Sequence, residues 1–233
     1  LSAYQSEIVQ GLIHALDDEN TLIRSAAVRA LGRIKDPAAT PALLAALHDK
    51  TGYVYDFAVA ALSDMKDPAA LPVLLGNLEN SDSDVRRASA TILGAMQYTD
   101  AVPTLINMLN DDVPAVGHAA AEALGNIGDK AAVPALSNVL RNEAVEWTMA
   151  IYAAQALGMI GSADGVPAML ELFRRRWDPV PGTNSTPPVR KNTIEALVKM
   201  GESAVPGLLA ALNDSDIKVR HGAIEVLGQI AGR

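Results

Sequence analysis

The sequence predicts an all-α fold, a solenoid of seven stacked antiparallel helix pairs, and three observations predict it. The first is composition. Of 233 residues, 40 are Ala and 27 are Leu, while aromatics make up 4%. Ala and Leu lose little on entering a helix, whereas strands favour β-branched and aromatic side chains. The second is a period. Pro41, Pro72, Pro103 and Pro134 stand 31 residues apart; Gln10 holds the same place one period earlier, and Pro167 and Pro206 continue the series. The third is a marker Leu after each of these residues: Leu31, Leu62, Leu93, Leu124, Leu157, Leu197 and Leu227. The interval is 21 residues except in the fifth copy, where it is 23, and the sixth, where it is 30. Self-similarity at a fixed period of this length is the signature of stacked supersecondary units.

Each copy reads as two helices. The first carries its Pro near the start, where a missing backbone N–H costs nothing, and an apolar stripe such as Leu43, Leu44 and Leu47 follows. A polar turn comes next, as in Asp17–Asn20, Asn80–Asp84 and Asn213–Asp216, and its Asp, Asn and Ser side chains suit the N-cap of the second helix. The second helix runs to the marker Leu, which Gly32, Gly94, Gly125, Gly158 and Gly228 follow directly. Glycine inside a helix is costly, so glycines in register predict close approach of neighbouring copies. On the second helix, Ile23, Ala27, Ala30 and Ile34 form one apolar face, matched by Val116, Ala120, Ala123 and Ile127 and by Val219, Ala223, Val226 and Ile230. Positions −9, −6, −5, −2 and +2 from the marker fall on the opposite, solvent face and vary from copy to copy. The copies span 4–36, 37–67, 68–100, 101–129, 130–162, 163–202 and 203–233, read as one domain, with an inserted loop over 177–188 in the sixth. Stacking at about 10 Å per layer predicts an arc roughly 60–70 Å long.

Segments such as Val85–Gly94 and Lys218–Ile230, each preceded by Pro-x-Leu-x-x-x-Leu or a close variant, resemble HEAT repeats, and the short 31-residue form resembles the HEAT-like repeats of the phycobiliprotein lyase family. The resemblance covers the whole chain and implies a HEAT-like superhelix whose second helices line the concave side. Its Asp…Val-Arg signature is matched by an Arg at Arg24, Arg86, Arg190 and Arg220 and departs at Tyr55, Gly117 and Ala150, which predicts an Arg–Asp ladder interrupted in copies two, four and five.

Composition narrows the function. Without Cys the chain offers no disulfide, thiolate metal site or thiol nucleophile. A net charge of −8, with basic and acidic residues alternating, argues against nucleic acid as a partner. No run of 18 apolar residues points to a membrane, and with no secretory leader in the sequence a cytoplasmic location is expected. No Ser/His/Asp constellation, paired carboxylates or phosphate-cradling Gly loop appears, so no catalytic residue and no metal ligand set is assigned.

Rare aromatics mark the candidate binding surface. Tyr53 and Phe57 lie four apart on the solvent face of copy two, with Asp56 beside them; Tyr152 occupies the place of Phe57 in copy five, with Ile151 adjacent and Trp147 about one turn earlier. Exposed aromatics on a groove anchor protein partners or flat apolar ligands. The −6 row also carries Arg87, His118, Lys191 and His221. His118 with Glu122, and His221 with Glu225, are i, i+4 pairs that could ligate a metal, but three repeats separate them. At about 10 Å per layer they lie roughly 30 Å apart, too far to share a metal pair. Surface His–Glu helix pairs are the simpler account. The run Arg174–Arg176 with Trp177 reads as a helix C-terminus or as a clamp for an acidic partner.

A non-catalytic scaffold binding a protein partner on the second-helix face is expected, without a cofactor. The resemblance implies the alternative of a bilin lyase subunit, in which Tyr53, Phe57, Trp147 and Tyr152 flank a linear tetrapyrrole and Arg87 or Lys191 meets its propionates. A His/Glu hydroxylase is a weaker third reading. The last helix presents Ala223, Ile224 and Leu227 as an apolar edge, which predicts association through the C-terminal end of the solenoid.

Overall fold

A computed structural model describes residues 4–175 and 188–232. Arg176, Trp177 and the inserted loop as far as residue 187 lie outside the described residues. The described residues form an all-α solenoid with no strand, in two compact units, Leu1–Ala101 and Val102–Arg233. The first unit holds three helix pairs: α1 (Gln5–His14) with α2 (Thr21–Ile34), α3 (Thr40–Ala45) with α4 (Gly52–Met65), and α5 (Leu71–Asn77) with α6 (Ser83–Ala95). The second holds four: α7 (Val102–Met108) with α8 (Pro114–Ile127), α9 (Val133–Arg141) with α10 (Trp147–Ile160), α11 (Val166–Arg174) with α12 (Val189–Met200), and α13 (Val205–Ala211) with α14 (Ile217–Ala231).

First helices are short and second helices long. From copy two onward each first helix is entered through a single 3-10 turn, such as Pro37–Ala39, which Asp36, Asp67 and Asp129 cap with their side chains in copies two, three and five. The periodicity did not distinguish that turn from the helix it feeds. Each Pro sits at N1 or N2 of its first helix. Asn20, Asp82 and Asp216 cap the second helices as their residue types require. Ahead of them, Asp18, Asp49, Asn80, Asp111, Asn142 and Asp214 each accept the N–H two residues on, at 2.7–3.0 Å, so one turn geometry recurs.

The marker leucines from Leu31 to Leu197 are buried, as is the whole row four residues earlier: Ala27, Ala58, Ser89, Ala120, Ala153, Thr193 and Ala223. The glycines do what their cost implies. A Cβ on Gly32 would stand 2.8 Å from Ala61, on Gly125 2.9 Å from Ala156, and on Gly158 2.9 Å from Ala196. In each case the neighbour is the Ala just before the marker Leu of the next copy. Gly228, in the last helix, has nothing within 4 Å.

Three expectations need correction. Ile23, read as part of the apolar face, is 45% exposed, whereas Val54, Val85 and Val116 at the same register of the next copies are buried. At the other end Ala223 is buried and Leu227 half-buried, so of the three edge residues named only Ile224 stands out, at 60%. The ladder is not simply broken at Tyr55. Arg24 donates to the carbonyls of Asp18 and Glu19 and, through Nε, to Asp49 of the next turn at 2.7 Å. Tyr55 does comparable work with its hydroxyl, which donates to the Asp84 carbonyl of the following copy at 2.8 Å. In copy six Arg174, from the first helix, reaches Asp214 at 2.6 Å.

Candidate functional site

In the first unit the solvent face of α2 and α4 presents Leu22 and Tyr53, 74% and 72% exposed, with Asp56 also exposed. Phe57 is half-buried, and the Arg29 guanidinium lies 5.2 Å from its ring centroid. Arg29, Arg33, Phe57 and Asp64 line a small cavity of about 210 Å³. Arg87 is already engaged, 3.1 Å from Asp84 and 5.2 Å from the Tyr55 ring. It does not stand free to meet a ligand anion.

In the second unit Tyr152 of α10 stacks on His118 of α8, with ring centroids 4.7 Å apart and planes 14° from parallel. The His118 Nε2 is buried without a hydrogen-bond partner among the described residues. Burial holds this imidazole below its usual 6.5, against the opposing pull of Glu146. Beside the stack runs a groove of about 460 Å³ across α8, α10 and α12, lined by Glu122, Tyr152, Gln155, Ala156, Met159, Asn192, Glu195, Ala196 and Lys199. Gln155 Nε2 donates to Asn192 Oδ1 at 2.9 Å, tying α10 to α12 across its floor. The close Gly125–Ala156 and Gly158–Ala196 approaches bring these three helices together.

The structure thus brings Tyr152, His118 and Glu122 to one place and leaves the other candidates outside it. Trp147 and Ile151 are half-buried on α10 and do not line the groove. Lys191 is exposed, 3.8 Å from Glu195. His221 and Glu225 are spanned by Arg190, whose Nη2 lies 3.0 Å from His221 Nδ1 and 2.9 Å from Glu225 Oε2, while its guanidinium covers Phe173 at 5.0 Å. Arg174 is bound to Glu171 and Asp214, and Arg175 donates to the carbonyls of Leu140 and Asn142, so neither is free to clamp an acidic partner. Among the described residues no three His, Asp or Glu side chains gather as a metal site would require. Gln155, Met159, Asn192, Glu195 and Lys199 line the groove too, and none carries an aromatic or imidazole ring that marks it in the sequence. Their signal was positional: they occupy the −5, −2 and +2 rows of the solvent face.

Paired helices in register, joined by one recurrent turn and carrying a groove on the second-helix side, define a helical-repeat scaffold. The chain belongs to the HEAT-repeat family, whose model matches residues 9–91, 77–153 and 183–233. The PBS lyase HEAT-like repeat matches residues 150–175. Among solved structures, the chain is similar to the complex of CpcE and CpcF of phycocyanin lyase from Nostoc sp. PCC7120, at 22% identity over 96% of this chain and 94% of that one, with a TM-score of 0.56. It is also similar to a Kap121p mutant, at 15% identity over 97% of this chain and 29% of that one, with a TM-score of 0.67. An engineered protein matches at 21% identity over 96% of this chain and 68% of that one, with a TM-score of 0.50. These likenesses describe the fold. No curated protein matches the chain in sequence. Among the described residues no helix is long and apolar enough to cross a membrane.

Proposed function

We propose that the chain is a non-catalytic scaffold that binds a protein partner on the face formed by its second helices. One observation carries this reading: the core is satisfied by Leu, Ala and Val, yet Tyr152 and Met159 remain beside an open groove of about 460 Å³. An aromatic left at such a groove is suited to anchor a partner. A photoreactive benzoylphenylalanine placed at position 155, on the second-helix face, is expected to cross-link a partner of defined mass in extract of the native host. The same group at position 210, exposed on α13, is expected not to. Equal labelling from both positions, or none from 155, overturns the reading.

A second reading has its own observation. The stretch matching the PBS lyase HEAT-like repeat carries Tyr152, Gln155 and Met159 of the groove. On that reading the groove holds a linear tetrapyrrole and presents it to a phycobiliprotein. Titration with phycocyanobilin tests it: a red-shifted, sharpened band lost in Tyr152→Ala supports it, and an unchanged spectrum rejects it.

A further inference from the structure

We infer that the groove of the second unit is a receptor for a cationic side chain, a lysine or arginine carried on an extended segment of the partner protein. The inference deepens the scaffold reading and rests on it.

The protein's own arginines already occupy two places of this kind. In the first unit Arg29, at the −2 position of α2, lies over Phe57, at the −5 position of α4. A guanidinium held over an aromatic face is favourable because the ring quadrupole is negative there. In α14, Glu225 of the same −2 row is met by the Arg190 guanidinium at 2.9 Å, a charge-assisted contact. These two contacts show what the −5 aromatic and the −2 carboxylate of this scaffold accept. Across α8 and α10 a −2 carboxylate and a −5 aromatic occur without an arginine between them; His118 stacks on the Tyr152 ring, which also lines the groove. The −2 position of α8 is Glu122, and the −5 position of α10 is Tyr152. The −2 position of α12 adds Glu195 to the same groove.

Neither carboxylate is neutralised by a close partner. Glu122 makes no ion pair among the described residues, and Glu195 has only the 3.8 Å approach of Lys191, which is itself largely in water. Lys199 lines the groove without an ion pair to either among the described residues. The lining is therefore net negative, while the corresponding cavity of the first unit, with Arg29 and Arg33 against Asp64, is net positive. The apolar part of the groove, Tyr152 and Met159, suits the methylene stem of a long basic side chain, whose charged head then turns to a carboxylate at the groove edge, Glu122 on one side or Glu195 on the other. A dianionic ligand meets the wrong sign here, so the same observation weighs against the tetrapyrrole.

The test uses the full chain and a fluorescein-labelled peptide of alternating alanine and arginine, compared with the same peptide carrying citrulline, which keeps the shape and removes the charge. Fluorescence anisotropy is expected to show saturable binding of the arginine peptide and at least tenfold weaker binding of the citrulline peptide. Glu122→Gln with Glu195→Gln is expected to cost at least tenfold. Glu79→Gln with Glu202→Gln changes net charge equally at exposed positions off the groove, and is expected to stay within twofold. Equal binding of both peptides, equal loss in both double variants, or no saturable binding overturns the inference. The cross-link from position 155 separates the two claims. If it persists while the peptide result fails, the scaffold reading stands and the cationic anchor falls.

Discussion

The two units place an aromatic at the same register and treat it in opposite ways. Phe57 is covered by the chain's own arginine, and the cavity around it is small and net positive. Tyr152 is stacked on a neutral-leaning histidine, and the groove beside it is about twice as large and net negative. Both aromatics sit five residues before a marker Leu, on second helices of equal length. The difference lies in the −2 row, which reads Arg29, Ala60, Thr91 in the first unit and Glu122, Gln155, Glu195, Glu225 in the second. A repeat scaffold holds side chains at fixed positions, so a change of residue in one row changes the chemistry of a surface without moving the backbone. Phe57, under the chain's own arginine, serves the fold; Tyr152, stacked on His118 but also lining a groove beside Glu122, unpaired among the described residues, is placed to meet something else as well.

The strongest way to break the comparison is to destroy the seam that shapes the second groove. Gly158→Leu places a side chain where a Cβ alone already stands 2.9 Å from the Ala196 backbone, including its carbonyl oxygen. Backbone cannot yield as a flexible side-chain end can, so a loss of about 3 kcal/mol is expected from overpacking. Gly228→Ala, at the same register with no neighbour within 4 Å, is expected to be neutral or to stabilise by about 0.5 kcal/mol through helix propensity. Urea denaturation of the two variants checks this pair. Equal destabilisation would mean that the glycines do not serve helix approach.

How far each feature was legible in the sequence follows from the same geometry. The stacked pairs, the caps at Asn20, Asp82 and Asp216, and the glycine seats were readable because each is a local rule repeated in register. The −5 aromatics were also readable, though they prove half-buried: neighbouring members of that row, Ala88 and Ala119, are buried, so the row forms a seam rather than an open face. The stacking of His118 on Tyr152 was not readable, because they are on different helices and i, i+4 reasoning pairs His118 with Glu122 on its own. Arg190 capturing both His221 and Glu225 was hidden for the same reason. The ladder failed to announce Tyr55 because a motif expressed as Arg hides any other donor of similar reach. Tyr55 is 7% exposed, and burial pushes its hydroxyl up to about 12, which keeps it a donor to the Asp84 carbonyl.

That hydroxyl gives the next, smaller test, confined to the first unit. Tyr55→Phe keeps the ring under Arg87 and removes only one of the bonds that link copy two to copy three, the Lys50–Asp82 pair being left in place. About 1 kcal/mol is expected, the usual net worth of one such bond. The cost should appear in thermal or urea unfolding while the arginine-peptide affinity of the second unit stays unchanged. A loss of peptide binding in Tyr55→Phe would show that the two surfaces are not independent, and the comparison between them would fail.

The smallest effect near neutral pH is expected from His118, and the two units answer in different pH ranges. Burial alone would raise the Asp49 carboxyl, but hydrogen bonds from Arg24 and Thr51 outweigh it and hold the group at about 2 against an ordinary 3.8. A carboxylate lowered on folding stabilises above its unfolded value, so this contribution from the first unit is present above pH 3.8 and is lost as pH falls toward 2. His118 behaves differently, because burial lowers an imidazole by disfavouring its charged form. The unfolded chain then binds the proton more readily than the folded one. Stability falls as pH drops through 6.5 toward the lowered folded value, and below that value this group costs nothing further. Glu146 pulls the other way and opposes the effect, which keeps it modest. His118→Phe preserves a ring against Tyr152 and removes the titration, so its urea midpoint between pH 7.5 and pH 5 should fall less than that of the parent chain. Asp49→Ala should leave that interval unchanged and flatten only the profile below pH 3.8. If His118→Phe keeps the full decline between pH 7.5 and pH 5, burial of the half-buried histidine against Tyr152 is not what lowers its affinity for the proton.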